Sequence, residues 1–253
     1  MTGLCASAAN AQTFSTGFEA PDYTAGDALR GQAGWTVGSG THGGYMVEDT
    51  FSLSGNQAAR AVHPAPGSTS TIHSTSRPFA ADPGNNIFEM SAWFFMDSAS
   101  QPGRYVGMQM GSSTGFAGGI QLGMGIDGAG ELRAGTSYTG AGIFGAGAVQ
   151  DAGRRDDIVD RWILMSLTAN LDTGDGQVTW SNLGTSAGSD TVSAMFNRDF
   201  SAFATIGLIN DFSTTSGAVT SVWVDDFFAR AIPAPGAAAL FGMAGLACLR
   251  RRR

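Results

Sequence analysis

No lysine occurs anywhere in this 253-residue chain: all fourteen basic residues are arginine, and four of them form its last four positions. The rest of the chain therefore sets ten arginines against 21 carboxylates, a net charge near −11. A surface of that sign repels polyanions, which excludes nucleic acid as a partner. Cysteine is almost missing too. Cys5 and Cys248 stand one at each end, so the body between them gains nothing from a disulfide and depends on burial, hydrogen bonding or a bound metal. Glutamate is confined to residues 19, 48, 89 and 131. Retaining glycosidases need two carboxyl groups about 5–5.5 Å apart, as a Glu-x-Asp-x-x-Glu strand supplies, and no such spacing exists here. Glu89 shares a strand face with Ser91 but has no carboxylate partner. His42, His63 and His73 lack metal-ligand spacing.

Glycine, by contrast, is abundant at 37 residues, and helix formers are sparse. This is the composition of an all-β protein. Short alternating segments recur between clusters of Gly, Asn, Asp and Ser, and the pattern predicts strands at 13–19, 44–49, 57–63, 70–75, 86–97, 104–111, 119–127, 131–137, 161–170, 176–181, 203–210 and 220–230. The segment 138–156 reads as the longest loop. Within 86–97, Phe88, Met90, Ala92, Phe94 and Met96 form an apolar face, opposite Ile87, Glu89, Ser91, Trp93, Phe95 and Asp97. Asn170-Leu171-Asp172-Thr173-Gly174 is a hairpin signal. Gly111-Ser112-Ser113-Thr114-Gly115 fits the G-x-S-x-G nucleophile pattern, but it lies between two strands, where that elbow needs a strand-to-helix turn.

A dozen strands in one domain of about 220 residues predict a two-sheet antiparallel jelly-roll sandwich. The layout is similar to concanavalin A-like sandwiches of the laminin G and legume-lectin type. The residues that carry this likeness are Phe14-Ser15-Thr16-Gly17-Phe18-Glu19, Gly31-Gln32-Ala33-Gly34-Trp35, the Trp162 strand with its Asp172 turn, and Trp223-Val224-Asp225-Asp226-Phe227.

Two sites are expected on such a frame. Alternation places Trp93, Tyr105, Gln109, Gln121 and Asp127 on one solvated face if their three strands are neighbours, an aromatic platform with amides suited to a saccharide. Glu19 near the start and Asp225 or Asp226 near the end would be brought together by paired terminal strands. The resemblance implies that such a pair holds a structural calcium, for which carboxylate oxygens are the right ligands. Strand alternation sends Asp225 and Asp226 to opposite faces, so one of them would serve. Asp172 with Asp175 is a second, turn-borne candidate.

The two ends predict export. Ala9-Asn10-Ala11 before Gln12 fits the small-residue cleavage rule of a secretory signal peptide, so residues 1–11 read as its remnant and 12–231 as the jelly-roll domain. Residues 232–253 contain Ile232-Pro233-Ala234-Pro235, an apolar stretch from Ala237 to Leu249, and Arg250, Arg251, Arg252 and Arg253. The prolines break a strand. The thirteen apolar residues span about 20 Å as a helix, short of a hydrocarbon core of about 30 Å, and the arginines are retained on the cytoplasmic side. This tail resembles the PEP-CTERM sorting signal of Gram-negative bacteria, with Ala234 where that family carries glutamate. The resemblance implies a short transmembrane helix, transient membrane contact and cleavage by an exosortase-like transpeptidase.

The sequence therefore predicts a non-catalytic protein of the cell surface or extracellular matrix, structural or carbohydrate-binding, with extracellular polysaccharide as its partner. A secreted polysaccharide hydrolase or lyase is the alternative.

Overall fold

The computed structural model describes residues 11–39, 44–62, 72–79, 84–98, 105–111, 121–126, 132–137, 149–151, 155–173, 175–184, 189–195, 204–211 and 222–233. In chain order the elements are β1 (Gln12–Thr16), β2 (Thr36–Ser39), β3 (Tyr45–Glu48), β4 (Ala58–Ala61), β5 (Ile72–Pro78), β6 (Ile87–Met96), β7 (Tyr105–Gly111), β8 (Gln121–Ile126), β9 (Leu132–Ser137), β10 (Val149–Asp151), α1 (Arg155–Ile158), β11 (Trp162–Asn170), β12 (Asp175–Ser181), β13 (Ser189–Met195), β14 (Thr205–Asp211) and β15 (Val222–Ile232). An eight-stranded sheet runs β13-β12-β11-β6-β15-β4-β3, with β1 added to β15, and a seven-stranded sheet runs β10-β9-β8-β7-β14-β5-β2. This is the expected two-sheet antiparallel jelly roll. All twelve predicted strands form. β2, β10, β13 and the short α1 were not foreseen, and β10 lies inside the stretch expected to be loop.

Alternation decides which side of each strand faces in. On β6, Phe88, Met90, Ala92, Phe94 and Met96 are buried and the residues between them are half-buried. Ile163, Met165, Leu167 and Ala169 of β11 continue that layer on one side, and Val222, Val224, Phe227, Ala229 and Ala231 of β15 on the other. Val106, Met108 and Met110 of β7, with Ile206 and Leu208 of β14, form the opposing layer. Each large apolar side chain so enclosed contributes about 1.5–3 kcal/mol of burial. Tyr45 ties the layers together, its hydroxyl donating to the Ile209 carbonyl across the core at 3.0 Å. Burial raises its phenol far above the ordinary range, so it remains a neutral donor.

Two connections shape the regions where carboxylates and aromatics gather. Between β1 and β2, Phe18, Tyr23, Leu29 and Trp35 are buried, with Trp35 Nε1 donating to the Tyr23 hydroxyl at 3.0 Å and the indole meeting Phe227 edge-on at 5.7 Å. Gly34 permits this: its φ is +83°, and a Cβ there would stand 2.8 Å from Arg77 Nη1. The second connection, 49–57 between β3 and β4, folds back over the middle of β15. There β15 changes partner, pairing with β4 at Trp223 and Val224 and with β1 from Phe227 onward. A bulge between Asp225 and Phe228 marks the change.

Candidate functional site

The bulge explains the acidic cluster. Asp226 and Phe227 on β15 together face the single position Ala92 of β6, since Asp225 pairs with Trp93 and Phe228 with Ser91. Asp226 is the inserted residue, with a left-handed φ of +48°, a conformation that aspartate tolerates better than most side chains. Strict alternation is therefore broken. The expectation that Asp225 and Asp226 point to opposite faces does not hold, because both carboxylates meet the 49–57 segment. Asp225 Oδ2 accepts from the amides of Leu53 (2.9 Å) and Ser54 (3.0 Å), and Asp226 Oδ1 accepts from the Ser54 hydroxyl (2.9 Å). Asp225 Oδ1 accepts from the Asp226 amide at 2.8 Å. Glu19, as expected, sits beside them. Its Oε1 accepts from the amides of Asn56 (2.8 Å) and Gln57 (2.9 Å).

These three carboxylates close a loop. Both oxygens of Asp225 and one each of Asp226 and Glu19 accept from N–H or O–H donors of the protein. Among the described residues no group of three or more His, Cys, Asp or Glu side chains is arranged to hold a metal ion. Asp225 is fully buried. That burial raises its carboxyl above the usual 3.8, the amides of Ser54, Asp226 and Leu53 pull it partly back, and the neighbouring Asp226 charge adds to the rise. Asp172 and Asp175 behave as turn residues. Asp172 accepts from Asn86 Nδ2, and the Asp175 amide donates to Thr173 Oγ1.

The expected saccharide platform is split between the sheets. Tyr105 and Gln109 lie on β7, and Gln121 is on the adjacent β8, opposite Gly111. Trp93 lies on β6, in the other sheet. Asp127 is outside the described residues. The chain changes sheet between Met96 and Tyr105, so these residues never share one face. Gln109 has its own setting. Gly207 and Gly123 flank it in register, Gly107 and Gly111 lie two residues away along β7, and Gly135 follows beyond Gly123. Glycines in that array remove side-chain bulk from the sheet surface. Gln109 is nevertheless only 1 % exposed, and its Oε1 has no partner.

Around Trp93, the outer face of the eight-stranded sheet carries a second set of residues. Trp162, Phe95 and Trp223 stand side by side on β11, β6 and β15, and Leu164 and Trp93 occupy the next row. Phe51 lies over the first row. Its ring stacks on Trp162 at 5.5 Å with an interplanar angle of 6°, and contacts Phe95 at 4.6 Å and Trp223 at 5.0 Å. All six side chains are half-buried. Past Trp93 the rows turn to hydroxyls, Ser91 beside Ser166 and Ser166 beside Thr179. Glu89 lies one row further and is held by Arg230, whose Nε donates to Oε2 at 3.1 Å. Glu89 is thus one half of an ion pair. Strand parity already put Phe95 beside Trp93. Phe51 carries no periodic signal, because it is in a loop.

The sorting motif is described only at Ile232, the last residue of β15, and Pro233. Ala234, Pro235, the apolar stretch and Arg250 to Arg253 lie outside the described residues. So do His42, His63, and Gly115 of the G-x-S-x-G match.

The sequence matches no protein-family profile and no curated protein. Solved structures do match it in fold. Arcelin-5, a lectin-like defense protein from Phaseolus vulgaris, aligns over 88 % of this chain and 99 % of its own, at 10 % identity and a TM-score of 0.55. Basic winged bean lectin with Tn-antigen aligns over 89 % and 100 %, at 10 % identity and a TM-score of 0.56. The CBM2 module of the evolved Dit of Lactobacillus casei BL23 phage J-1 aligns over 89 % and 98 %, at 14 % identity and a TM-score of 0.53. The body is therefore a legume-lectin-like jelly roll.

Proposed function

We propose that this chain is an exported, non-catalytic, carbohydrate-binding protein of the cell surface or extracellular matrix, processed at its C-terminal sorting signal by an exosortase-like transpeptidase. The observation that carries the binding role is the lectin-like sandwich, which aligns with nearly the full length of proteins named as lectins. The non-catalytic reading is supported at Glu89, whose carboxylate is engaged by Arg230. The tail reading draws support from the strand order. β1 pairs with the end of β15, Gln12 opposite Ala231, so the start of β1 and the end of β15 lie at the same end of the sandwich. A body tethered at that end projects its other end outward. The acidic surface keeps it soluble among polymers.

A glycan array probed with the full chain tests the binding role. Binding to a defined set of saccharides without release of reducing ends supports it, and release of reducing ends would make the chain a hydrolase or lyase. Fractionation of an exosortase-bearing host tests the tail. Replacing Arg250 to Arg253 with alanine should leave the unprocessed chain in the membrane fraction or secrete it uncut. Unchanged processing would remove the sorting role.

A further inference from the structure

Large aromatic side chains facing outward from a sheet need a reason, because this protein already has a full complement inside. Phe88, Phe94, Phe227 and Trp180 fill the core. Yet Trp162, Phe95 and Trp223 form a row across three adjacent strands on the opposite face, with Trp93 and Leu164 beside them and Phe51 above. Adjacent strands lie about 4.8 Å apart, so the row makes a continuous apolar strip about three strands wide. The loop that supplies Phe51 also presents Leu53, one of only two exposed large apolar side chains among the described residues.

We propose that this outer face of the eight-stranded sheet is a binding site for a neutral saccharide, which packs the C–H face of its sugar rings on Trp93, beside the row that Phe51 caps, and extends over the hydroxyls of Ser91 and Ser166. The inference rests on the carbohydrate-binding role proposed for this chain and assigns its site. Two observations favour this occupant. The strip gives way to half-buried serines, a side chain depleted in protein–protein interfaces but usual among the few polar groups of small-molecule sites. Glu89 is paired with Arg230 and Arg60 with Glu48 at 3.0 Å, and Asp225, opposite Trp93, is buried and bonded to the amides of Leu53 and Ser54, so none of these charges is left to hold an ionic ligand.

The loop is part of the site. Phe51 is placed by the segment that Asp225, Asp226 and Glu19 hold down. The acidic cluster thus positions an aromatic ring over the strip. The strip also lies away from the chain ends. From Trp223 to Ile232 β15 runs nine residues, about 30 Å at 3.3 Å each. A body fixed by its C-terminus would hold the face outward.

The test is titration of the full chain with neutral oligosaccharides of glucose, mannose and galactose, followed by tryptophan fluorescence and calorimetry. Trp93→Ala should weaken binding about tenfold or more. Ser91→Arg leaves every ring in place but obstructs the hydroxyl row, and should do the same while the melting temperature stays near that of wild type. Gln109→Ala should leave affinity unchanged. Loss of binding in Gln109→Ala with retention in the other two would overturn this site but keep the carbohydrate reading, locating the ligand on the glycine-lined face. Wild-type silence toward all three sugar series would overturn both. Dissociation of a dimer by Ser91→Arg would make the face a self-association surface and overturn the proposal.

Discussion

Ser54 donates its backbone N–H to Asp225 Oδ2 at 3.0 Å although 171 residues separate the two in the chain. With the Leu53 amide and the Ser54 hydroxyl, that contact locks the loop between β3 and β4 onto the last strand at the bulge where β15 changes neighbours. A buried carboxylate that receives three amides acts here as a clasp.

The clasp has a pH signature. Burial raises the Asp225 carboxyl above 3.8, so the folded protein holds that proton more tightly than the unfolded chain does. Its contribution to stability is complete below 3.8 and is lost as pH rises through the raised value. Asp225→Asn has no such proton. Thermal melts from about pH 3 to pH 7 should show wild type gaining on the variant as pH falls. A gap that is constant or grows with pH would contradict the raised carboxyl.

Glu19 and Gly55 form the other half of the clasp. Gly55 has a φ of +62°, and a Cβ there would overlap the Glu19 carboxylate. Gly55→Ala should destabilise by about 1–3 kcal/mol. Glu19→Ala leaves the Asn56 and Gln57 amides without their acceptor and should cost a similar amount. Because both changes loosen the same loop, the double variant should fall short of their sum in a denaturant titration.

Tyr45→Phe removes the hydroxyl that bonds to the Ile209 carbonyl from across the core. The buried carbonyl then lacks that donor, at a cost of about 1–3 kcal/mol. Urea unfolding should show a lower midpoint with an unchanged slope.

Glu89 and Arg230 should contribute little. Their side chains are 31 % and 40 % exposed, and exposed ion pairs are worth about 0.2–1 kcal/mol. A double-mutant cycle with Glu89→Gln and Arg230→Gln should return a coupling in that range, smaller at high salt. A coupling of several kcal/mol would show that the pair supports the face more strongly than its exposure implies.

Strand identity was readable because burial of one face imposes a period of two, as on β6 and β11, where Phe88 to Met96 and Ile163 to Ala169 alternate inward. Strands whose alternation is weak escaped. β2 is Thr-Val-Gly-Ser, and β13 is Ser-Asp-Thr-Val-Ser-Ala-Met. The Asn170 hairpin was legible as well, since its turn rests on local bonds such as Asn170 Oδ1 accepting from the Asp172 amide at 2.9 Å.

The sequence by itself determined the all-β class, the two-sheet sandwich, the inward face of each strong strand, and the meeting of Glu19 with Asp225 that results when first and last strands pair. Local period and chain-end pairing carry that information. Only the tertiary structure decided which strands share a sheet. It separated Trp93 from Gln109 and set Trp93 beside Trp162 instead. It also decided the fate of the Asp225-Asp226 pair, because one bulged residue reverses parity and turns two carboxylates toward the same loop. Both outcomes depend on hydrogen bonds between residues far apart in the chain, which side-chain periodicity does not encode.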